Sequence, residues 1–309
     1  MRYGIVITNL GDYADPQTAV GLARSAEENG WEGLFVWDHL AFAWGVPSGD
    51  PWVILSAIAA STSRLKLGTA VTPLARRRPQ VVANALATLD LLSGGRVIFG
   101  VGLGGVGEEF SAFGDSAGTR ERAAMLDEGL SVLDGLLSGE EVSHHGEHYT
   151  VEAVKLAPPP VQRPRIPIWI GGESPAALRR AARWDGWLAP ATSPDGTPTM
   201  ARTPEQIAGM VATIYSRRVT DAPFEVAVDG YTEPDDRLPH AYEEAGATWW
   251  LESIHGMRGG IEEMMARVQA GPPGKQEISD QRRWRPRAED RGDIRRGAEG
   301  ERDRRGSFK

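Results

Sequence analysis

The sequence predicts an α/β chain folded as a closed (β/α)8 barrel, and three observations carry that expectation. Apolar runs of four to six residues alternate with longer amphipathic segments, eight of each. Several of the amphipathic segments open at a proline, which suits a first helical turn because the missing N–H would be unpaired there in any case. Strict strand–helix alternation is the order of a parallel sheet with crossover helices, and eight repeats close it into a barrel.

In order, the first strand is Tyr3–Thr8, followed by a helix at Pro16–Asn29. Gly33–Trp37 with Pro51–Ser61 and Leu65–Thr69 with Pro79–Leu92 form the next two units, and Arg96–Phe99 precedes a helix at Arg120–Leu137. Then come Ile166–Ile170 with Pro175–Arg183, Gly186–Leu188 with Pro204–Arg218, Phe224–Val228 with a short helix near Pro239–Ala245, and Thr248–Glu252 with Ile261–Gln269. Ser174 and Thr203 stand before helix-opening prolines, where a side-chain oxygen can accept from a first-turn N–H. The long interruption, Ser138 to Arg165, lies between helix four and strand five. It reads as a hairpin followed by APPPVQRPRIP, and an excursion of that length is expected to cover the active site and shape the substrate space.

Composition excludes several function classes. The chain has 309 residues, 41% of them apolar, enough for a large core. A net charge of −8 argues against a nucleic-acid surface. The absence of cysteine excludes disulfides, thiolate metal sites and a cysteine nucleophile. MRYGIVITNL runs straight into a strand, and no segment approaches the roughly 18 apolar residues of a membrane span. A cytoplasmic protein with neither membrane nor nucleic-acid partner is expected. The barrel domain is expected over residues 1–270. Residues 271–309 hold 12 Lys/Arg and 8 Asp/Glu with no Val, Leu or Met, too little apolar surface to offset ordering, so a disordered tail is expected there. A nucleic-acid- or membrane-binding arm is the alternative, weakened by the interleaved acids.

A barrel of this kind places its site at the strand C-termini. Those ends are Thr8 and Asn9; Trp37, Asp38 and His39; Thr69 to Pro73; Gly100 to Glu109; Gly171 to Glu173; Trp187 to Pro190; Asp229 and Gly230; and Glu252 to His255. The richest is LLSGGRVIFGVGLGGVGEEF, residues 91–110, in which five glycines between Gly100 and Gly107 lead to Glu108 and Glu109. Glycines at that density let backbone approach a ligand closely. Gly100, Gly102 and Gly105 satisfy G-x-G-x-x-G, as do Gly102, Gly104 and Gly107. The dinucleotide reading is disfavoured, because EEFSAFGDSAG is too short and glycine-broken for the required crossover helix, and Glu121 and Asp127 fall on a later one.

His39 is the candidate for proton handling, since imidazole exchanges protons near neutrality; a structural histidine at a helix start is the alternative. Asp38 is expected to orient the loop. Glu108 and Glu109 are candidate acids or solvated helix-start carboxylates. Trp37 and Trp44 wall a planar ligand or belong to the core. Arg76, Arg77 and Arg78 could reach a phosphate or carboxylate, but surface charge beside a helix, or pairing across a dimer, is favoured. His144, His145 and His148 are expected to be exposed, with no metal site. A metal-dependent barrel hydrolase usually needs a histidine pair ending strand one, where Thr8-Asn9-Leu10 stands.

Together these loops resemble the bacterial-luciferase-like superfamily of flavin- and deazaflavin-dependent oxidoreductases. The resemblance is carried in order by GLFVWDHL, DPWVILSAIAASTSRLKLGTAVTPL, RRRPQVVANALATLDLLSGGRVIFGVGLG, HHGEHYTV, PPPVQRPRIPIWIGGESPAALRRAARWDGWLAP and EEAGATWWLE, and covers residues 1 to about 270. It implies a luciferase-like barrel that binds FMN or the deazaflavin coenzyme F-420, acts on a small organic substrate and often forms a homodimer, with NAD(P)H a candidate electron donor. It implies a non-proline cis peptide at Ala70–Val71 behind the cofactor ring, beside Thr72. Asp38, Gly102, Gly104 and Gly105 would line the cofactor. Gly171, Gly172, Glu173 and Ser174 would hold its phosphate at a helix start, where free N–H groups and the helix dipole suit an anion. FMN would bring oxygen chemistry and monooxygenation; the deazaflavin would bring hydride transfer without oxygen, towards which the WDH loop and the glutamates lean. A non-catalytic flavin carrier would keep the glycines without needing His39.

Overall fold

Residues 1–116, 118–189 and 202–274 are described by the computed structural model of the chain. The barrel runs β1 (Arg2–Ile7), α1 (Pro16–Glu28), β2 (Gly33–Val36), α2 (Pro51–Ser61), β3 (Lys66–Thr69), β4 (Thr72–Pro73), α3 (Pro79–Ser93), β5 (Val97–Gly102), α4 (Glu108–Ser111) and α5 (Thr119–Ser138). It continues with β6 (Glu141–His145), β7 (Thr150–Lys155), β8 (Ile168–Gly171), α6 (Pro175–Ala181), β9 (Gly186–Ala189), α7 (Pro204–Tyr215), β10 (Glu225–Gly230), α8 (Leu238–Glu244), β11 (Trp249–Ile254) and α9 (Ile261–Gln269). Eight strands pair in parallel in the cycle β1-β2-β3-β5-β8-β9-β10-β11, and β11 returns to β1 with Arg2 opposite Trp249 and Ile7 opposite Ile254. The expected barrel is therefore closed, with β4 a short extra strand on β5 (Thr72 opposite Val101).

Helix starts follow the local chemistry of the sequence. Asp15 and Asp50 cap α1 and α2 by accepting from Gln17 N (3.0 Å) and Trp52 N (2.9 Å), each ahead of a proline. Ser174 caps α6, and Thr203 forms a reciprocal capping box with Gln206 on α7. Such caps contribute about 1 kcal/mol each.

Three large rings fill the barrel interior. Phe35 stacks on Trp169 at 5.5 Å and meets Trp249 edge-on at 6.1 Å, while the two indoles lie 5.8 Å apart. Aromatic pairs of this kind contribute about 0.5–1.5 kcal/mol beyond the area they bury. Space for them depends on Gly186, where an added Cβ would fall 2.4 Å from Trp169 Cδ1. Trp37, Ala70 and Val71 pack on this inner cluster as partly buried neighbours, at the strand C-termini.

One expectation is corrected. The excursion from 138 to 165 contains the expected hairpin, β6–β7, but does not cover the C-terminal face. It connects a helix to the next strand, so it begins and ends on the opposite, N-terminal face. Asp90 near the end of α3 accepts from Val161 N (2.8 Å) and Gln162 N (3.0 Å), and Gln162 Nε2 donates to Val97 O (2.8 Å) at the start of β5. Glu128 on α5 anchors the hairpin by accepting from His148 N and Tyr149 N (2.9 and 2.7 Å). Among the described residues no helix is long and apolar enough to cross a membrane. The expected tail, apart from residues 271–274, lies outside the described residues.

Candidate active site

The site is built on the ends of β1, β2, β4 and β5. Asn9, fully buried, holds the loop after β2: its Nδ2 donates to His39 O (2.9 Å) and Gly49 O (2.7 Å), and its Oδ1 accepts from His39 N (3.2 Å). Glu109, on the one-turn α4 that closes the glycine-rich loop, is 1% exposed. Its Oε1 pairs with His39 Nδ1 (2.9 Å) and accepts from Leu40 N (2.7 Å), while Oε2 accepts from Arg76 Nη1. Arg76 Nη2 also donates to Asp38 Oδ1 (2.8 Å) and Asp38 O (2.7 Å). Arg77 forks onto the same carboxylate through Nε (3.0 Å) and Nη2 (2.8 Å). The result is a row, Arg77–Asp38–Arg76–Glu109–His39, that ties three strand-end loops together.

Burial alone would raise the Glu109 carboxyl, but the His39 hydrogen bond and charge, Arg76 and the Leu40 N–H together hold it below the usual carboxylate range. A carboxylate facing Nδ1 favours the imidazole tautomer with hydrogen on Nδ1, which leaves Nε2 as the nitrogen able to take up a proton. Nε2 has no protein partner among the described residues. The His39 ring meets Trp37 edge-on at 5.8 Å and lies 6.2 Å from Trp44. Arg76 and Arg77, expected at the surface, are instead drawn inward by Asp38 and Glu109; only Arg78 is exposed.

Beside this row lies a floor formed at the ends of β3, β5 and β8. Ala70–Val71 is a cis peptide, as the resemblance implied. A Cβ added at Gly102 or Gly171 would each fall 2.8 Å from a Val71 methyl, so both positions must stay bare for that side chain to sit between them. Thr72 is buried with no hydrogen-bond partner for its hydroxyl. Gly104, with φ +79°, packs on Pro73, whereas Gly105 faces open space. Glu108 is exposed and stands apart from the row. Glu173 is held by Arg202 through Nε–Oε2 at 2.6 Å, and the Ser174 hydroxyl accepts from Ala177 N at 3.2 Å.

A cavity of about 490 Å³ opens at the ends of β10 and β11, with Tyr231, Thr232, Asp236, His255, Met257 and Arg258 in its wall. Tyr231 Oη and His255 Nε2 are 2.9 Å apart, and His255 Nδ1 is buried without a partner. The His255 ring lies 5.6 Å from Trp37, so this cavity adjoins the floor. Burial pushes Asp229 up to about 7, opposed by the Ser253 hydroxyl and reinforced by Glu252. His255 ends the strand-terminal segment flagged in the sequence, while Tyr231 and Arg258 fall just beyond those segments, where strand periodicity gives no signal. Among the described residues no group of three or more His, Asp or Glu is placed to hold a metal. His144 and His145 pair with Glu128 (3.1 Å) and Glu152 (3.4 Å).

Residues 1–304 match the family described as luciferase-like monooxygenase. The chain belongs to that family. An uncharacterized protein of Mycobacterium tuberculosis is 30% identical over 234 residues, covering 69% of this luciferase-like chain and 77% of the relative. The F420-dependent glucose-6-phosphate dehydrogenase of Nakamurella multipartita is 37% identical over 180 residues. That alignment spans 56% of this chain and 52% of the relative, so the match extends over about half of the longer protein. Among solved structures, the monooxygenase RslO1 from Streptomyces bottropensis shares the fold at a TM-score of 0.70 and 21% identity, covering 87% of this chain and 97% of that one. An F420-dependent secondary alcohol dehydrogenase in complex with an F420-acetone adduct does so at 0.69 and 18%, with the same coverage.

Proposed function

We propose that this luciferase-like chain is an oxidoreductase that binds a flavin or deazaflavin over Ala70, Val71 and Thr72 and uses His39 to exchange a proton with a small organic substrate. The observation that carries the reading is the His39–Glu109 pair, which commits Nδ1 to a buried carboxylate and leaves Nε2 available beside the floor where Gly102 and Gly171 make room for the Val71 side chain. A bound cofactor supplies the hydride acceptor or donor. The protein's own part is to position the substrate oxygen at Nε2. As hydride leaves the carbinol carbon, the hydroxyl proton passes to Nε2, and Glu109 stabilises the imidazolium that forms; reduction runs the same transfers backwards. Asp38 and Arg76 hold this pair in place. Gly171, Gly172, Glu173 and Ser174 form the place for the cofactor phosphate, with Arg202 neutralising Glu173.

The deazaflavin coenzyme is the favoured cofactor, supported by F420-dependent dehydrogenases among the relatives at 35–37% identity. A homodimer is proposed through α2 and α3, which leave Val53, Val81, Leu91 and Leu92 exposed. The deciding experiment titrates the purified protein with FMN and with the deazaflavin coenzyme by fluorescence. Deazaflavin binding alone supports anaerobic hydride transfer. FMN binding alone redirects the search to monooxygenation with oxygen and NAD(P)H-derived electrons. Binding of neither by folded protein refutes the proposal, cofactor binding without turnover identifies a carrier, and turnover unaffected by His39→Asn refutes the role given to His39.

A further inference from the structure

We infer that the cavity at the ends of β10 and β11 receives the substrate and selects an uncharged molecule, an alcohol or carbonyl compound with an apolar body, rather than a phosphate ester or carboxylate. The inference rests on the redox reading above and deepens it.

Charge is the first support. Among the described residues the cavity wall carries one guanidinium, Arg258, and its hydrogen bonds point into the protein: Nη1 donates to Glu252 and to Ser253 O (2.8 Å), Nη2 to Thr232 O (2.6 Å). Arg267, buried behind it, faces the same Glu252 carboxylate at 3.3 Å. Against these two cations stand Glu252, Glu233 and Asp236, so among the lining residues and their ion-pair partners acids outnumber bases. Burial, helped by the charge of Arg258, holds the His255 imidazole below its ordinary range, which favours its neutral form. Residues 1–274 contain only two lysines, Lys66 and Lys155. One opens β3 on the opposite face and the other closes the β6–β7 hairpin. Arg76, Arg77 and Arg202, the guanidiniums nearest the floor, are engaged by Asp38, Glu109 and Glu173. An anionic substrate would be desolvated against a described lining whose one guanidinium is already engaged by Glu252, and burying a charge without such a partner costs several kcal/mol.

Polar complementarity is the second support. A neutral His255 hydrogen-bonded to the Tyr231 hydroxyl presents both donor and acceptor capacity at the cavity wall, matching a hydroxyl or carbonyl oxygen. The third is the rim on the His39 side. Phe42, Trp44 and Phe113 are 54%, 40% and 51% exposed, and the two phenyl rings meet at 5.7 Å. Trp37 touches both His39 and His255, so this aromatic rim and the polar cavity wall bound adjoining space. An apolar body covering the rim would gain burial that a compact sugar phosphate would not.

Ligand-observed saturation-transfer NMR on the full chain, apo and cofactor-loaded, tests this with matched pairs. These are cyclohexanol against cyclohexyl phosphate, and benzyl alcohol against 4-(hydroxymethyl)benzoate. The neutral member should bind about tenfold or more tightly at pH 7.5. Tyr231→Phe and His255→Asn should weaken it about threefold to tenfold, as expected for one lost hydrogen bond. Glu233→Lys, at an exposed position, should narrow the preference. Equal or tighter binding of the anionic members overturns the inference, as does failure of every neutral member to bind. So does neutral binding indifferent to both cavity substitutions in proteins with wild-type circular dichroism. If the cofactor binds while the charge preference is reversed, this inference alone fails. If neutral selectivity holds while neither cofactor binds, the redox reading alone fails.

Discussion

Glu109→Gln is the most informative single change, because the side chain reaches three partners and each responds differently. Glutamine keeps an acceptor for Leu40 N and His39 Nδ1 but removes the charge that stabilises a protonated imidazole. A hydrogen bond to a charged group contributes about 1.5–3 kcal/mol net, so losing that assistance in the transition state should slow proton-coupled turnover about 10- to 150-fold. Arg76 loses one of its two carboxylates but keeps Asp38 at 2.8 Å. The stability loss should therefore fall below the about 3–5 kcal/mol typical of a fully orphaned buried charge. The assay is anaerobic stopped-flow at the cofactor absorbance with the best neutral alcohol, alongside thermal unfolding and cofactor titration. A single-turnover rate within twofold of wild type, in folded and cofactor-saturated protein, would refute the assignment of Glu109 as the partner that makes His39 basic.

Gly102→Ala and Gly171→Ala each place a methyl 2.8 Å from Val71, so cofactor affinity should drop about tenfold or more, while Gly209→Ala, exposed on α7 with open space around it, should leave it unchanged; fluorescence titration of the three variants decides. Gly186→Ala should destabilise the fold by about 1–3 kcal/mol in urea, because its methyl meets the Trp169 indole at 2.4 Å in a filled barrel. Glu128 is held below the usual carboxylate range by the His148 and Tyr149 N–H groups and by His144, which outweigh its desolvation. A depressed folded-state pKa contributes stability above the ordinary value of 4.5 and loses it as pH falls through the folded value. Glu128→Gln should therefore be less stable at pH 7 and lose less stability between pH 7 and pH 3, read by urea unfolding across that range.

The sequence disclosed the barrel readily because its signals are local. Proline-opened helices, capping residues at Ser174 and Thr203, and short apolar strands repeat with one period, and each states its own element. His39 and Glu109 were visible as strand-end polar residues, but their pairing was not, since 70 positions separate them and no periodic pattern joins them. Arg76 and Arg77 resemble surface charge in the sequence, and only the burial of Asp38 and Glu109 beside them shows why they turn inward. The 138–165 excursion misled for a topological reason: length marks an insertion, but the face it reaches depends on whether it follows a strand or a helix. Tyr231 and Arg258 were missed because they lie one and four residues past the ends of β10 and β11.

The row that begins at Arg77 and ends at His39 draws on the loops after β2, β4 and β5, whereas the cavity wall comes from those after β10 and β11. On the proposed reading chemistry and selection thus occupy separate parts of one rim, joined through Trp37. Substrate range can therefore evolve, or be redesigned, by varying residues 231–236 and 255–258 without touching the groups that manage the proton.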